Sequence, residues 1–170
     1  MQRQDQTKYM TFGAIMAALG VVLLLLGSII PGMRLSCVAI ASVLAAMVFV
    51  RCGFGYALLC VIATALLSFL LVPAKEVGLL YAVFFGPYAL IKNGIERLHN
   101  LPLEWVVKLA YCGVTAVLLF WFSDQVLAMV PELLAAHLWL YLPVILILFA
   151  VYDIVFSKLI AYLSHYLHLR

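Results

Sequence analysis

A chain of 170 residues that is 68% hydrophobic and only 10% charged departs from a soluble domain, in which about a quarter of residues carry charge. With a mean hydropathy of +1.22, the composition is that of an integral membrane protein and excludes a sizeable soluble domain. The formal net charge of +3 is too small to point to nucleic acid, so the placement of the charges matters more than their sum.

A helix crosses a bilayer with about 20 apolar residues, and the apolar runs predict six spans in one domain over 1–170. Residues 1–8 (MQRQDQTK) read as a short polar tail. Tyr9 to Ile30 is the first run. It is too long for a signal-peptide core and lacks an Ala-x-Ala cleavage pattern, so it reads as an uncleaved span. Leu35 to Val50 is the second, closed by Arg51 and Gly53, and Phe54 to Val72 the third, stopped by Pro73. Val77 to Ile91 is the fourth, Trp105 to Val130 the fifth, and Val144 to about Tyr166 the sixth. The connection 92–104 is the most polar stretch, and the connection 131–143 carries Trp139 and Tyr141, residue types that favour the headgroup level. The expected fold is an all-α bundle of six transmembrane helices.

Six spans place Arg3, Lys8, Arg51, Lys92, Arg97, Lys108, Lys158 and Arg170 on one side, eight of the ten basic residues. Only Arg34 and Lys75 fall on the other. The positive-inside rule then predicts cytoplasmic N and C termini and a multi-pass protein of the plasma membrane.

The stretch from Pro73 to Glu96 concentrates the chemistry. At helical spacing Val77, Tyr81, Phe84 or Phe85, Tyr88, Lys92 and Glu96 form one stripe, aromatic in its middle and charged at its end. Gly86–Pro87 interrupts it, and a proline there crowds the carbonyl of Val83 and predicts a kink. The stripe is either a packing face or the wall of a ligand cavity.

Catalytic motifs are absent: the sequence holds no GxSxG, HExxH, Walker A or GxGxxG. His99, His137, His165 and His168 have no cysteine or carboxylate at ligand spacing, and Cys37, Cys52, Cys60 and Cys112 read as small hydrophobes. An enzyme, a metal site and a cofactor are therefore not expected. The remaining charges need a reason, because a charge at membrane depth costs at least about 2.5–3.5 kcal/mol. Asp153 lies about ten residues below Pro143, roughly 15 Å into the sixth helix. It is expected to pair with Arg51 or Lys92, with Glu96 one turn beyond Lys92, either as a structural bridge or in a coupling or ligand role. On the outer side, Arg34, Lys75 and Glu76 with Tyr81, Phe85, Tyr88 and Trp139 could surround an anionic or zwitterionic small molecule. They equally read as a rim of charges at the headgroup boundary.

The first span carries small residues four apart: Gly13 and Ala17, Ala14 and Ala18. Such faces let another helix approach closely, within the bundle or from a partner. With Ala14-Ile-Met-Ala-Ala18 on the first of six spans, the chain resembles the S component of an energy-coupling factor transporter. That resemblance implies a substrate-capturing membrane subunit of an ATP-driven micronutrient importer, which docks through this motif to a transmembrane T component driven by two ATPases. No pattern of a riboflavin, thiamine, biotin or folate binder is present, so no ligand residues carry over from the family. The stretch 95–108 (IERLHNLPLEWVVK) resembles small membrane proteins of Gram-positive bacteria. The competing reading is a cell-shape scaffold of the rod-shape-determining MreD type, with lipid and protein partners but no solute.

Overall fold

The computed structural model describes residues 2–30, 32–95, 101–122, 147 and 149–162. Every regular element among them is helical. In chain order these are α1 (Gln2–Ile29), α2 (Arg34–Cys52), α3 (Phe54–Leu71) and α4 (Lys75–Leu80), then a π-helical turn (Tyr81–Phe85), α5 (Gly86–Ile95) and α6 (Leu101–Phe122). The last helix, α7, covers residues 149–162.

Three stretches are long and apolar enough to cross a membrane: Gln6–Ile29, Arg34–Cys52 and Phe54–Leu71. They correspond to the first three predicted spans. The polar tail expected at 1–8 is helical from Gln2, because glutamine, arginine and lysine are good helix formers and simply prolong α1 beyond its apolar part. The fifth predicted span starts earlier than expected, at Leu101, and its residues beyond Phe122 lie outside the described ones, as does the connection 131–143.

α1, α2 and α3 pack on one another, and small side chains let them do so. On α1, Gly13, Ala17, Gly20, Leu24 and Gly27 are buried at alternating steps of four and three, the period of one helix face. A Cβ at Gly27 would sit 2.9 Å from Cys37 Cβ of α2, and one at Gly20 would sit 3.1 Å from Thr64 Cγ2 of α3. Any larger residue at these positions pushes the helices apart. α2 answers with Cys37, Val38, Ala41, Ala45 and Ala46, α3 with Ala57, Cys60, Val61 and Thr64. The buried hydroxyls are satisfied locally, Thr64 Oγ1 donating to the Cys60 carbonyl at 2.8 Å and Ser68 Oγ to that of Ala65 at 2.7 Å. This removes the cost of an unpaired polar group in an apolar interior.

A single residue, Gly53, joins α2 to α3, at φ +89°. Side chains with a Cβ are disfavoured in that conformation, and glycine adopts it freely. Where the Gly-Pro pair predicts a kink in the fourth stretch, the structure has a widened, π-helical turn. Gly86 N–H donates to Tyr81 O, five residues back, and Pro87 has no N–H to offer the Val83 carbonyl. From α6, the Tyr111 hydroxyl donates to the carbonyls of Phe84 at 2.8 Å and Val83 at 3.3 Å. A side chain of one helix thus meets the backbone groups that the wide turn in another leaves open.

Candidate functional site

Beyond the π turn, side chains of α5, α6 and α7 face one another and enclose a charged cluster. Its centre is Asp153, 3% exposed. Tyr88 of α5 donates its hydroxyl to Asp153 Oδ1, and Lys92, one helical turn further on, donates its ammonium to the same oxygen. Lys92 Nζ also reaches the Asp153 carbonyl at 3.0 Å. Lys108 of α6 takes the second carboxylate oxygen, Oδ2, at 2.8 Å, and holds Glu104 Oε1 at 2.8 Å. Ser157 Oγ donates to the Asp153 carbonyl at 2.9 Å. One carboxylate therefore ties three helices together.

The wall around these charges is aromatic. Tyr88, Phe149, Tyr152 and Phe156 line it, with the Tyr88 and Phe149 centroids 5.3 Å apart and those of Tyr152 and Phe156 also 5.3 Å apart. The Lys92 ammonium lies 5.4 Å from the Phe156 centroid and 5.7 Å from that of Tyr88, within the range of a cation–π attraction. Ser42 gives its proton to the Ala39 carbonyl at 2.6 Å, so the 2.7 Å contact with Tyr152 is donated by the tyrosine. α2 is thereby joined to α7 as well. In such a low-dielectric site, separated charges would be prohibitive. They persist because each ammonium meets a carboxylate and the carboxylate's remaining capacity is filled by hydrogen bonds.

Of the partners expected for Asp153, the structure brings in Lys92. Arg51 goes elsewhere: its guanidinium stands 4.6 Å from the Phe12 ring centroid, joining α2 to α1. Glu96 lies outside the described residues. Sequence reasoning does not place Lys108, Tyr88 or Glu104 in the cluster. Spacing alone pairs Lys108 with its neighbour four residues back, although a lysine seven residues into so apolar a helix as α6 already calls for a buried partner.

Of the residues expected to form an outward mouth, Arg34 and Glu76 come together, and the other described ones lie elsewhere. Arg34 Nη1 bonds Glu76 Oε1 at 3.0 Å, joining the start of α2 to the start of α4. Its Nε is buried without an acceptor among the described residues. The exposed Lys75 donates to the Phe69 carbonyl. Tyr81 and Phe85 are core residues, 1% and 7% exposed, and Tyr88 belongs to the Asp153 cluster. The winding of the helix explains the split, since the π turn adds a residue and rotates α5 relative to α4. Trp139 lies outside the described residues. On α1 the two small-residue pairs part company: Gly13 and Ala17 are buried, whereas Ala14 and Ala18, about 100° round the helix, are exposed.

Among the described residues no three His, Cys, Asp or Glu side chains converge as a metal site. No protein-family model, curated protein or solved structure matches this chain.

Proposed function

We propose that this chain is the substrate-capturing membrane subunit of an ATP-driven micronutrient importer, with six spans and both termini in the cytoplasm. One observation carries the reading. α1 spends one small-residue face, Gly13 and Ala17, on internal packing, and keeps a second, Ala14 and Ala18, turned outward. A transmembrane partner helix could approach closely on that second face, where a bulky side chain would hold it away. The solute end is the pair Arg34–Glu76 at the opposite end of the α4–α5 stretch from Lys92. Its opposite charges and the uncommitted Arg34 Nε–H suit a zwitterionic or anionic small molecule. The Asp153 cluster then acts as the rigid joint against which the outer end can adapt.

Ala14→Trp and Ala18→Trp test this directly. The expected result is a folded protein that no longer co-purifies with a membrane-embedded partner and its ATPases; undiminished co-purification refutes the docking face. The scaffold reading draws on a different observation, that Tyr81, Phe85 and Tyr88 are all spent on packing. Native mass spectrometry separates the two: a retained small molecule supports the importer, a retained protein partner without one supports the scaffold.

A further inference from the structure

Independently of the importer reading, the geometry points to a binding site for the phosphodiester of an anionic phospholipid at Lys108, flanked by Trp105, with Glu104 as the group that it displaces. Lys108 is 5% exposed at its side chain and is held between two carboxylates of unequal standing. Asp153 is buried and takes further donors from Tyr88 and Lys92. Glu104 is 16% exposed, sits four residues back on the same helix, and has Lys108 as its salt-bridge partner. Of the two carboxylates Glu104 is the less buried and is held by the i,i+4 contact, so it is the one that an incoming anion can replace. A buried ammonium still requires an anion in that position, and a phosphodiester carries the same single charge as the carboxylate it would replace.

The surroundings suit a lipid. Side chains on a helix lean toward its N-terminus, so Lys108 reaches back to the level of Glu104 and Trp105, and its ammonium lies 5.8 Å from the Trp105 ring centroid. Tryptophan favours the headgroup boundary, so the Trp105 side of Lys108 is the side from which a headgroup would come. From Trp105 an exposed apolar face runs down α6 through Val106, Leu109, Val114 and Val117. Gly113 lies on it with nothing within 4 Å of an added Cβ. Val106 to Val117 spans about 16 Å at 1.5 Å per residue, roughly the depth of one leaflet. Headgroup anchor and acyl path are therefore continuous. With the six-span orientation proposed above, the leaflet is the cytoplasmic one, where anionic lipids concentrate.

The test is native mass spectrometry of the full chain purified in detergent and titrated with phosphatidylglycerol or phosphatidylcholine of identical acyl chains. One headgroup charge against one lysine predicts about five-fold stronger retention of phosphatidylglycerol. Lys108→Met should abolish that preference. Because this variant could also disturb folding, Glu104→Gln provides the second arm: it leaves Lys108 on Asp153, removes the competitor, and should raise phosphatidylglycerol retention. Asp5→Asn removes the same charge near the start of α1 and should leave retention unchanged. Equal retention of the two lipids, an unchanged or weaker Glu104→Gln, or an equal gain in Asp5→Asn would overturn the assignment. So would displacement of the lipid by millimolar inorganic phosphate, which would make a free anion the ligand.

Discussion

Asp153→Asn keeps the volume of the side chain and removes its charge. In the native protein Oδ1 accepts from Tyr88 and Lys92, and Oδ2 accepts from Lys108 at 2.8 Å. An amide has one acceptor oxygen, so its NH2 group must face one of these donors. The two ammoniums, 0% and 5% exposed at their side chains, lose the anion that they share. Breaking a buried pair by removing one partner costs about 3–5 kcal/mol. Glu104 still faces Lys108, which places the expected loss near the lower end, about 3 kcal/mol. The reference is Arg34→Gln, which breaks a pair with one partner 32% exposed and should cost no more than about 1 kcal/mol. Both are measured by reversible unfolding in mixed detergent micelles, followed by tryptophan fluorescence. A loss for Asp153→Asn no greater than that for Arg34→Gln would refute the reasoning. Replacing the cluster as a whole, with Lys92→Met, Lys108→Met, Glu104→Gln and Asp153→Leu together, should cost less than Asp153→Asn alone, because no stranded charge remains.

The packing makes further predictions for the same unfolding measurement. Gly86→Ala places a Cβ 2.8 Å from Val61 Cγ1 and 3.0 Å from the Tyr81 carbonyl, and should destabilise by about 1–3 kcal/mol, whereas Gly113→Ala meets nothing within 4 Å and should be neutral or mildly stabilising. Tyr111→Phe removes the donor to Val83 and Phe84 and should cost about 1 kcal/mol, with the exposed Tyr162→Phe as a silent control. Ala17→Leu, at a position 5% exposed, should cost about 1–3 kcal/mol, whereas Ala18→Leu on the outward face should stay within about 0.5 kcal/mol.

Much of the architecture is written in composition and spacing. The three helices able to cross a membrane stand where uninterrupted apolar runs stand, and their ends follow Arg34, Gly53 and Pro73. The need for Asp153 to have a basic partner was also legible, because a carboxylate in so apolar a stretch has few ways to persist. Its particular partners were not. Arg51 and Lys92 are equivalent by sequence position, and the choice is made by rotation of the helices: Arg51 turns toward Phe12 of α1, Lys92 toward α7. The π turn is the second illegible element. A Gly-Pro pair announces an interruption, but not that it takes the form of a wide turn whose carbonyls meet Tyr111, a residue of a later helix. The extra residue in that turn also separates Tyr81 from Tyr88, which a regular helix would have kept on one stripe. The four-residue periodicity of α1 showed two small faces, and only tertiary packing distinguishes the face used inside from the one left outside.

The central claim is that Lys92 and Lys108 are locked inside the bundle on Asp153. Amine labelling of the protein in lipid bilayers, read residue by residue by mass spectrometry, tests it most directly. Lys75 and Lys158, both exposed, should react fast, Lys92 and Lys108 should stay unmodified, and Asp153→Asn should open both to the reagent. Labelling of Lys92 and Lys108 in the native protein at the rate of Lys75 and Lys158 would contradict the account.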